Sequence, residues 1–303
     1  MRWEKFGSIF NSNKQNFWMN SHASVPIVDH IDKNLYKVYF SSRDVQNRSY
    51  VGSFEFDITN PKKIFSISKK PILSPGKDGT FDDSGTMCSC IVSVKNKKYL
   101  YYIGWNKGVS VPYRNSIGLA ISNNNGKTFE KISEGPIIDR TYKEPHFAAS
   151  SYVLKEKNEW KMWYLSCIKW ALKKNQLTPF YHIKYAKSSD GINWNRDGTV
   201  CIDFKNRNEW AISRPFVWKE KDLYKMTYSY RGKNPYKIGY AESRDGINWN
   251  RKDSKIGIKT SQKGWDSKMI EYAFLVNHNG IQYMFYNGNE YGKTGIGLSK
   301  LVN

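Results

Sequence analysis

A strand pattern rich in aromatic residues recurs along the whole chain, and it constrains the fold more than any other feature. Each copy has an aromatic strand, then a strand that opens with small residues, then a polar turn that ends in an aromatic residue. Three full copies cover residues 99–129, 161–194 and 224–249, and partial copies begin near residues 36 and 283. One supersecondary unit repeated at a regular step indicates an array of similar units stacked on one another.

The length of the repeat predicts the architecture. The aromatic residues Tyr39, Tyr102, Trp163, Tyr228 and Tyr286 lie 63, 61, 65 and 58 residues apart. About 60 residues suffice for a four-stranded propeller blade with long loops. We therefore expect an all-β fold, a single five-bladed β-propeller domain whose four-stranded antiparallel blades surround a central channel. The approximate blades are residues 20–70, 80–135, 140–203, 208–258 and 264–303, and residues 1–12 close the last blade.

Polar turns close the repeats. Asp190 and Asp245 each begin the sequence Asp-Gly-Ile-Asn-Trp, and residues 122–129 form a longer relative of this turn. In such a turn the aspartate caps the backbone through its side chain, glycine takes a positive φ and the aromatic residue packs between sheets. We assign these aspartates a structural role on the outer rim.

The formal net charge of +21 favours anionic partners. Much of the excess is lysine scattered over predicted turns, which is also typical of a solvated surface. No compact basic block or nucleic-acid motif is present, so we expect no nucleic-acid partner. Four cysteines are too few for a disulfide framework in a chain of 303 residues, and no stretch is apolar enough to span a membrane. We expect a cytoplasmic protein with reduced thiols, no metal and no cofactor.

Five segments with small residues or proline predict the strands that line the channel. Proline lacks an amide hydrogen and is confined to the first residue or the free edge of a strand, and a strand beside an open channel has such an edge. The segments are residues 23–28, 85–90, 144–148, 213–217 and 271–275. The leading residues of these inner strands are therefore expected to point into one cavity.

With these strands placed, the chain resembles the five-bladed propeller glycosidases of the arabinanase, levansucrase and invertase group. The blade period, the Asp-Gly-x-x-Trp turns and the inner strands with an acidic residue before proline carry the resemblance over nearly the whole chain. More narrowly, the chain is similar to bacterial propellers described as glycosylases of surface-polysaccharide clusters. That likeness lies in residues 21–26, 40–44, 111–115 and 286–289.

The resemblance implies catalytic carboxylates at the starts of inner strands. Glycosidases use two: one protonates the leaving oxygen, and the other activates water or attacks the sugar carbon. Glu144 matches the general acid of the third blade, and Asp83 is the candidate of the second. The first blade has His22 and Ser24 where the family has aspartate. Glu271 of the fifth blade lies beside the first by circular symmetry and is the compensating candidate. An ion pair with arginine is the structural alternative for each carboxylate.

Cationic, aromatic and polar side chains complete the predicted site. Arginine binds carboxylate or phosphate through two parallel hydrogen bonds, and several arginines around one opening suit an acidic sugar or a sugar nucleotide. Tryptophan rings stack on sugars. The candidate substrate-binding residues are His22, Arg43, Trp105, Arg114, His146, Trp170, Arg214, Arg231, Asp266 and Asn289. Salt bridges between blades are the alternative for the arginines, and core positions for the histidines.

Two functions stay open from the sequence. The first is a glycosidase-like enzyme that acts on an anionic carbohydrate or a sugar-nucleotide linkage in bacterial surface-polysaccharide metabolism, with carboxylates as general acid and base. The second is a non-catalytic propeller that binds a glycan or sugar nucleotide, or an assembly scaffold. The ionisable residues at inner-strand starts favour the enzyme, because unpaired buried charge is costly unless a ligand uses it. The absent first-blade aspartate favours the binding protein.

Overall fold

Short runs of aromatic and β-branched residues, many alternating between buried and exposed positions, produce a fold that is almost entirely β-strand. The computed structural model describes residues 1–12, 14 and 16–302. Its strands are β1 (Trp3–Phe10), β2 (Ser21–Asp32), β3 (Leu35–Arg43), β4 (Ser49–Asp57), β5 (Asn60–Ile67), β6 (Gly85–Val94), β7 (Lys97–Lys107), β8 (Tyr113–Ser122), β9 (Glu130–Lys131), β10 (Ala148–Glu156), β11 (Glu159–Lys173), β12 (Gln176–Ser188), β13 (Val200–Ile202), β14 (Glu209–Glu220), β15 (Leu223–Gly232), β16 (Lys237–Ser243), β17 (Asn250–Arg251), β18 (Glu271–His278), β19 (Ile281–Asn287) and β20 (Ile296–Leu301). A 3₁₀ turn covers Asp253–Ile256, and a short helical turn, α1, covers Asn289–Gly292. The expectation of an all-β chain is confirmed.

Consecutive strands pair in antiparallel runs, here called units one to five. The units are β2–β5, β6–β9, β10–β13, β14–β17, and β18–β20 together with β1. One parallel pairing, Ser49 with Gly85, joins β4 to β6, and another, Tyr181 with Ala211, joins β12 to β14. Since β1 pairs with β20, unit five contains the first and last described strands.

The first strands of the units pack against one another in turn. β2 contacts β6, β6 contacts β10, β10 contacts β14, β14 contacts β18, and β18 contacts β2. Aromatic rings fill the space between three of them: the ring centres of Tyr152 and Phe216 are 4.7 Å apart, and those of Phe216 and Phe274 are 4.6 Å apart. The centre of the fold is therefore packed with side chains where these strands cross.

A β-bulge or register shift interrupts each first strand at a similar place. Four residues at these sites have left-handed backbone, with φ of 48°, 43°, 55° and 58° at Val25, Ser150, Arg214 and Tyr272. A bulge bends the strand and re-aims the side chains beside it. The second-strand residues that face the bulges are Phe40, Tyr102, Tyr164, Tyr228 and Tyr286. Tyr39 and Trp163, which mark the repeat in the sequence, lie one residue away from this position.

Two of these buried tyrosines lie over glycines of the neighbouring third strand. Gly118 pairs with Tyr102, and Gly239 pairs with Tyr228. A Cβ atom would stand 2.3 Å from the Tyr102 ring at Gly118 and 2.4 Å from the Tyr228 ring at Gly239. Because both rings are fully buried, the tyrosine cannot move aside without disturbing its neighbours.

We therefore expect Gly118→Ala to lower the free energy of unfolding by about 1–3 kcal/mol through overpacking. Urea denaturation of the purified variant measures this loss. Gly135→Ala is the matched control, because nothing lies within 4 Å of a Cβ atom at Gly135. Its stability is expected to stay within about 0.5 kcal/mol of the parent protein. Equal losses in both variants would contradict the packing argument.

The Asp-Gly turns have the structural role expected of them. The Asp245 carboxylate accepts hydrogen bonds of 2.8 Å from the amides of Ile247 and Asn248. These bonds hold the pKa of Asp245 below its usual range. Asp190 receives the same pair of amide bonds, again at 2.8 Å, in unit three.

Two expectations from the sequence concern the state of the cysteines and the presence of membrane-spanning segments. All four cysteines are free and buried, and burial raises the pKa of each thiol to about 12. Such thiols are inert packing groups. Within residues 1–12, 14 and 16–302, no helix has the length and hydropathy needed to cross a membrane.

Candidate active site

Glu271 is an acidic residue that is buried without a hydrogen-bond partner among the described residues. It begins β18, directly before the left-handed residue Tyr272. Its side chain is 0% exposed, and neither carboxyl oxygen has a hydrogen-bond partner among the described residues. Burial raises the pKa of Glu271 well above its usual range, and the charge of Arg231 only partly opposes this. Burial therefore favours the protonated form of Glu271, and a buried acid without a partner is a candidate for function.

Arg231 lies close to this acid, near the end of β15. Its guanidinium lies 4.9 Å from the ring centre of Tyr236, and Nη1 donates a 2.7 Å hydrogen bond to the Tyr291 hydroxyl. The Tyr236 hydroxyl also hydrogen-bonds to Tyr181. Nε of Arg231 is buried without a partner, and no carboxylate of the described chain forms a salt bridge with this arginine. Aromatic rings stabilise the guanidinium charge, and because no carboxylate neutralises it, the charge is available to a ligand.

A second cation, Arg43, ends β3 and lies opposite Ser21, the neighbour of His22. Burial lowers the pKa of Arg43, and its guanidinium forms no salt bridge within the described part of the chain. Burial also lowers the pKa of His22 to about 4, with further lowering by the charges of Arg43 and Lys293. His22 is consequently neutral near pH 7, and its surroundings favour an anion.

Tyr272 connects the acid to the cations. Burial raises the pKa of Tyr272 well above its usual range, and an ionised Glu271 would raise it further. An ionised Tyr272 would in turn raise the pKa of Arg43, so Tyr272 lies within electrostatic reach of both groups. We call the residues that share these interactions the mouth cluster: His22, Arg43, Arg231, Glu271 and Tyr272.

An aromatic wall of four rings stands beside Arg231 and Tyr236. The Trp170 ring centre is 5.4 Å from that of Tyr113 and 5.7 Å from that of Phe147. Phe147 in turn lies 6.3 Å from Tyr181, whose hydroxyl bonds to Tyr236. The predicted ligand residue His146 is half-buried next to Phe147. Tyr113 and Trp170 are half-buried, so their rings keep partly accessible faces of the kind on which a sugar stacks.

Glu144 is engaged differently from the expectation. It lies ahead of β10 rather than on it, and its side chain is 7% exposed. Its carboxylate accepts hydrogen bonds from the Tyr164 hydroxyl at 2.9 Å, from Lys184 Nζ at 3.0 Å and from Arg196 Nη1 at 2.9 Å. With both oxygens occupied by two cations and a hydroxyl, Glu144 is poorly placed to donate a proton to a substrate. We therefore move the proposed acid role to Glu271.

The bonds of Glu144 follow a pattern that other units repeat. A tyrosine of the second strand donates to a buried or half-buried carboxylate, which also pairs with a cation. The other sets are Tyr102, Asp82 and Lys131; Tyr228, Asp253 and Arg251; and Tyr286, Asp266 and Lys5. This repetition indicates a structural role, and it gives the predicted ligand Asp266 an internal partner, Lys5, at 2.7 Å.

Arg214 lies in the packed centre of the fold instead of at an opening. Its side chain is 2% exposed. Nη2 donates to the carbonyl oxygen of Pro26 at 3.0 Å, and Nη1 donates to the carbonyl oxygen of Ser89. The left-handed backbone at Arg214 turns the side chain inward across β2 and β6. Arg214 thus ties three first strands together.

Two further predicted ligands hold local structure. Asn289 is buried, and its Oδ1 accepts a 2.7 Å hydrogen bond from the amide of Lys268, so it supports the segment before β18. Trp105 donates from Nε1 to the Ser49 hydroxyl at 2.7 Å, where units one and two meet. Both side chains are occupied by the protein itself.

Asp83 and Arg114 lie in unit two. Asp83 is half-buried and accepts hydrogen bonds from Ser84 at 2.9 Å and from Asn106 at 2.8 Å. No described cation forms a salt bridge with Asp83. Arg114, near the start of β8, is exposed. Neither has a recorded contact with the mouth cluster.

Sequence reasoning missed the tyrosines of this region. Tyr272, Tyr236, Tyr181, Tyr113 and Tyr291 surround Arg231 or Glu271, yet each looked like an ordinary packing aromatic. Four of them lie near the ends of second strands or the starts of third and first strands, and that position is the signal that could have revealed them. Among the described residues, no group of three or more His, Cys, Asp or Glu side chains could hold a metal ion.

Comparisons with known proteins place this geometry in context. A family model described as beta-1,4-mannooligosaccharide phosphorylase matches residues 153–296. The uncharacterized protein Rv1502 of Mycobacterium tuberculosis (strain ATCC 25618 / H37Rv) is 38% identical over 303 residues, which is 100% of both chains.

Solved structures show the same fold. A glycoside hydrolase superposes with a TM-score of 0.76 at 18% identity, over 99% of this chain and 91% of the other. The beta-1,2-mannobiose phosphorylase of Listeria innocua, in complex with beta-1,2-mannobiose, superposes with a TM-score of 0.73 at 10% identity, over 99% and 97%.

Proposed function

We propose that this chain, which belongs to the family of the mycobacterial protein Rv1502 and has the fold of glycoside hydrolases, is a carbohydrate-active enzyme that cleaves a glycosidic bond with Glu271 as proton donor. The buried, unpartnered carboxyl of Glu271 carries this proposal. A carboxylic acid that stays protonated near pH 7 is what departure of a sugar oxygen needs.

In this proposal the saccharide stacks on the aromatic wall and brings its glycosidic oxygen to Glu271. The proton moves from the Glu271 carboxyl to that oxygen as the bond between the oxygen and the anomeric carbon breaks. Arg231 stabilises the resulting Glu271 carboxylate, because its charge already favours that form. The released saccharide leaves with a hydroxyl group, and the anomeric carbon accepts an incoming nucleophile.

The nucleophile is the second part of the proposal. Within the described chain, the other carboxylates considered are either paired with cations, as Glu144 and Asp266 are, or hydrogen-bonded away from the mouth cluster, as Asp83 is. The positive surroundings of His22 offer instead a place for an anion. We propose inorganic phosphate as that anion, in line with the matched family model. The acidic group of an anionic sugar or sugar nucleotide is the alternative occupant.

One assay separates these possibilities. The protein is incubated with β-linked manno-oligosaccharides, with and without inorganic phosphate, and with acidic glycosides and sugar nucleotides without phosphate. Phosphate-dependent release of a sugar 1-phosphate supports phosphorolysis, whereas cleavage of acidic glycosides without phosphate supports hydrolysis of an anionic substrate. Saturable binding with no turnover of any of these compounds would contradict the enzyme and favour the non-catalytic glycan-binding propeller.

Three finer points belong to the same proposal. The five units with contacting first strands support a five-bladed propeller of four-stranded blades. Four free, buried thiols suit a reducing compartment such as the cytoplasm. An anionic substrate would suit a role in surface-polysaccharide metabolism.

Arg43→Met tests the anion site directly. Removing the arginine charge favours the protonated imidazole, so the pKa of His22 is expected to rise above its value of about 4. Affinity for the anionic reactant is expected to fall by about tenfold or more. NMR titration of the histidines measures the first effect, and inorganic phosphate binding measures the second. Arg114→Met, at an exposed arginine, is the control. An unchanged His22 titration would remove Arg43 from the site.

A further inference from the structure

The most exposed large apolar side chains of the described chain lie at one end of the fold. In each antiparallel unit the first strand begins, the second ends and the third begins at the same end, which we call the mouth face. The five side chains with the largest exposed fractions are Phe17 at 70%, Val45 at 79%, Val109 at 108%, Tyr142 at 90% and Leu172 at 68%. Four of them lie between a second and a third strand or in a segment before a first strand, and Leu172 lies at the end of the second strand β11. The mouth face therefore carries separate, exposed apolar side chains, which we call the apolar tips.

Cations lie among these tips. Where second strands turn into third strands, the acidic residues are Asp44, which is buried with Arg48, and Glu290, which pairs with Lys293 at 3.1 Å. The basic residues of these turns and their flanking strand ends include Lys107, Arg114, Lys169, Lys173, Lys174, Lys233 and Lys293. Burial and the charges of Lys233 and Lys169 lower the pKa of Lys173, so positive charge is crowded there. Basic side chains therefore outnumber acidic ones in these turns, and the segments before the first strands add acidic residues such as Asp78, Glu134 and Asp139.

We propose that the mouth face docks on the surface of an anionic lipid bilayer. Apolar side chains that enter the boundary between headgroups and acyl chains, together with lysines that meet anionic headgroups, are the two contributions that hold a peripheral protein on a membrane. The mouth cluster lies at the same end of the fold, since its residues are at the starts of first strands and the ends of second strands. This docking goes beyond the proposed enzyme activity, and its measurement needs no turnover.

The spacing of the tips favours a bilayer over other anionic partners. Val45, Val109 and Leu172 belong to three different units, so they do not form the contiguous patch that a protein interface requires. Nucleic acid stacks on aromatic rings and gains little from isolated aliphatic side chains. A fluid lipid surface accommodates separate tips one by one.

Sedimentation with vesicles tests the docking. The full chain is mixed with phosphatidylcholine vesicles that contain phosphatidylglycerol, and with vesicles of phosphatidylcholine alone, at increasing NaCl concentration. We expect binding to the anionic vesicles that weakens as salt rises. The double variant Val109→Ser/Leu172→Ser is expected to reduce the partition coefficient by about tenfold.

The control variant is Phe65→Ser, at a residue that is 51% exposed on β5, away from the mouth face. Its partition coefficient is expected to match that of the parent protein. Circular dichroism verifies that all variants fold. Failure to sediment with anionic vesicles, equal binding to both vesicle types, or equal losses in the double variant and Phe65→Ser would each overturn the docking. Capture of RNA or of a protein by this face, without vesicle binding, would overturn it as well.

Discussion

Replacing Glu271 with glutamine is expected to lower kcat by about 10²–10⁴-fold while saccharide binding and the fold persist. Glutamine has nearly the same size, but its amide cannot supply the proton that the leaving oxygen requires. The side chain is fully buried and unpartnered, so the substitution breaks no hydrogen bond within the described structure. Initial rates on the substrate found in the assay above, together with binding of the same saccharide, measure the two effects separately.

The pH dependence of the same reaction gives a second readout. The active form has a protonated Glu271, and burial raises its pKa well above the usual range. The rate is therefore expected to hold through neutral pH and to decline as the pH rises through that pKa. Glu271→Gln should lose this alkaline limb along with its activity. A variant that keeps near-normal turnover would remove Glu271 as proton donor.

The ionisation of Glu271 also affects the free energy of unfolding. In the unfolded chain Glu271 titrates near about 4.3, whereas the native carboxyl holds its proton to higher pH. The native state thus binds more protons than the unfolded state above that value, and the unfolding free energy falls as the pH rises through this window. Glu271→Gln has no such penalty, so it is expected to exceed the parent protein in stability near pH 7. Urea denaturation between pH 4 and 8 measures the gap, which should widen with pH.

The repeating fold could be predicted from the sequence because the patterns that specify it are local. Strand alternation, the small residues of third strands and the Asp-Gly-Ile-Asn-Trp turns all act within a few residues of one another. Gly118 and Gly239, for example, mark the strands that lie beneath buried tyrosines. Such short-range patterns specify strands and turns independently of the rest of the chain.

The functional site was harder to predict from the sequence, because its contacts depend on how strands far apart in the chain align. Glu144 precedes a proline, as a catalytic acid of the resembling family does, but its partners Lys184 and Arg196 lie 40 and 52 residues away in sequence. Which residues meet Glu144 depends on how β10, β11 and β12 align, and a bulge of two residues changes that alignment. The positive φ of Arg214, which buries it, was likewise invisible in the sequence.

Replacing Glu144 with glutamine is expected to affect stability instead of chemistry. The carboxylate neutralises Lys184 and Arg196, whose side chains are only 12% and 11% exposed. Its removal leaves two half-buried cations without that partner, which costs up to about 3–5 kcal/mol, the value for a fully buried pair. Urea denaturation measures the loss, and kcat of the folded fraction is expected to stay within about threefold of the parent protein.

Two further variants make this prediction specific. Glu144→Gln/Lys184→Met removes one of the orphaned charges, so it is expected to recover part of the lost stability, which an independent effect of each substitution would not do. Glu290→Gln breaks an exposed ion pair with Lys293 and is expected to leave the stability close to that of the parent protein. If Glu144→Gln instead kept full stability and lost turnover, the acid of the reaction would be Glu144, as its place before Pro145 first indicated.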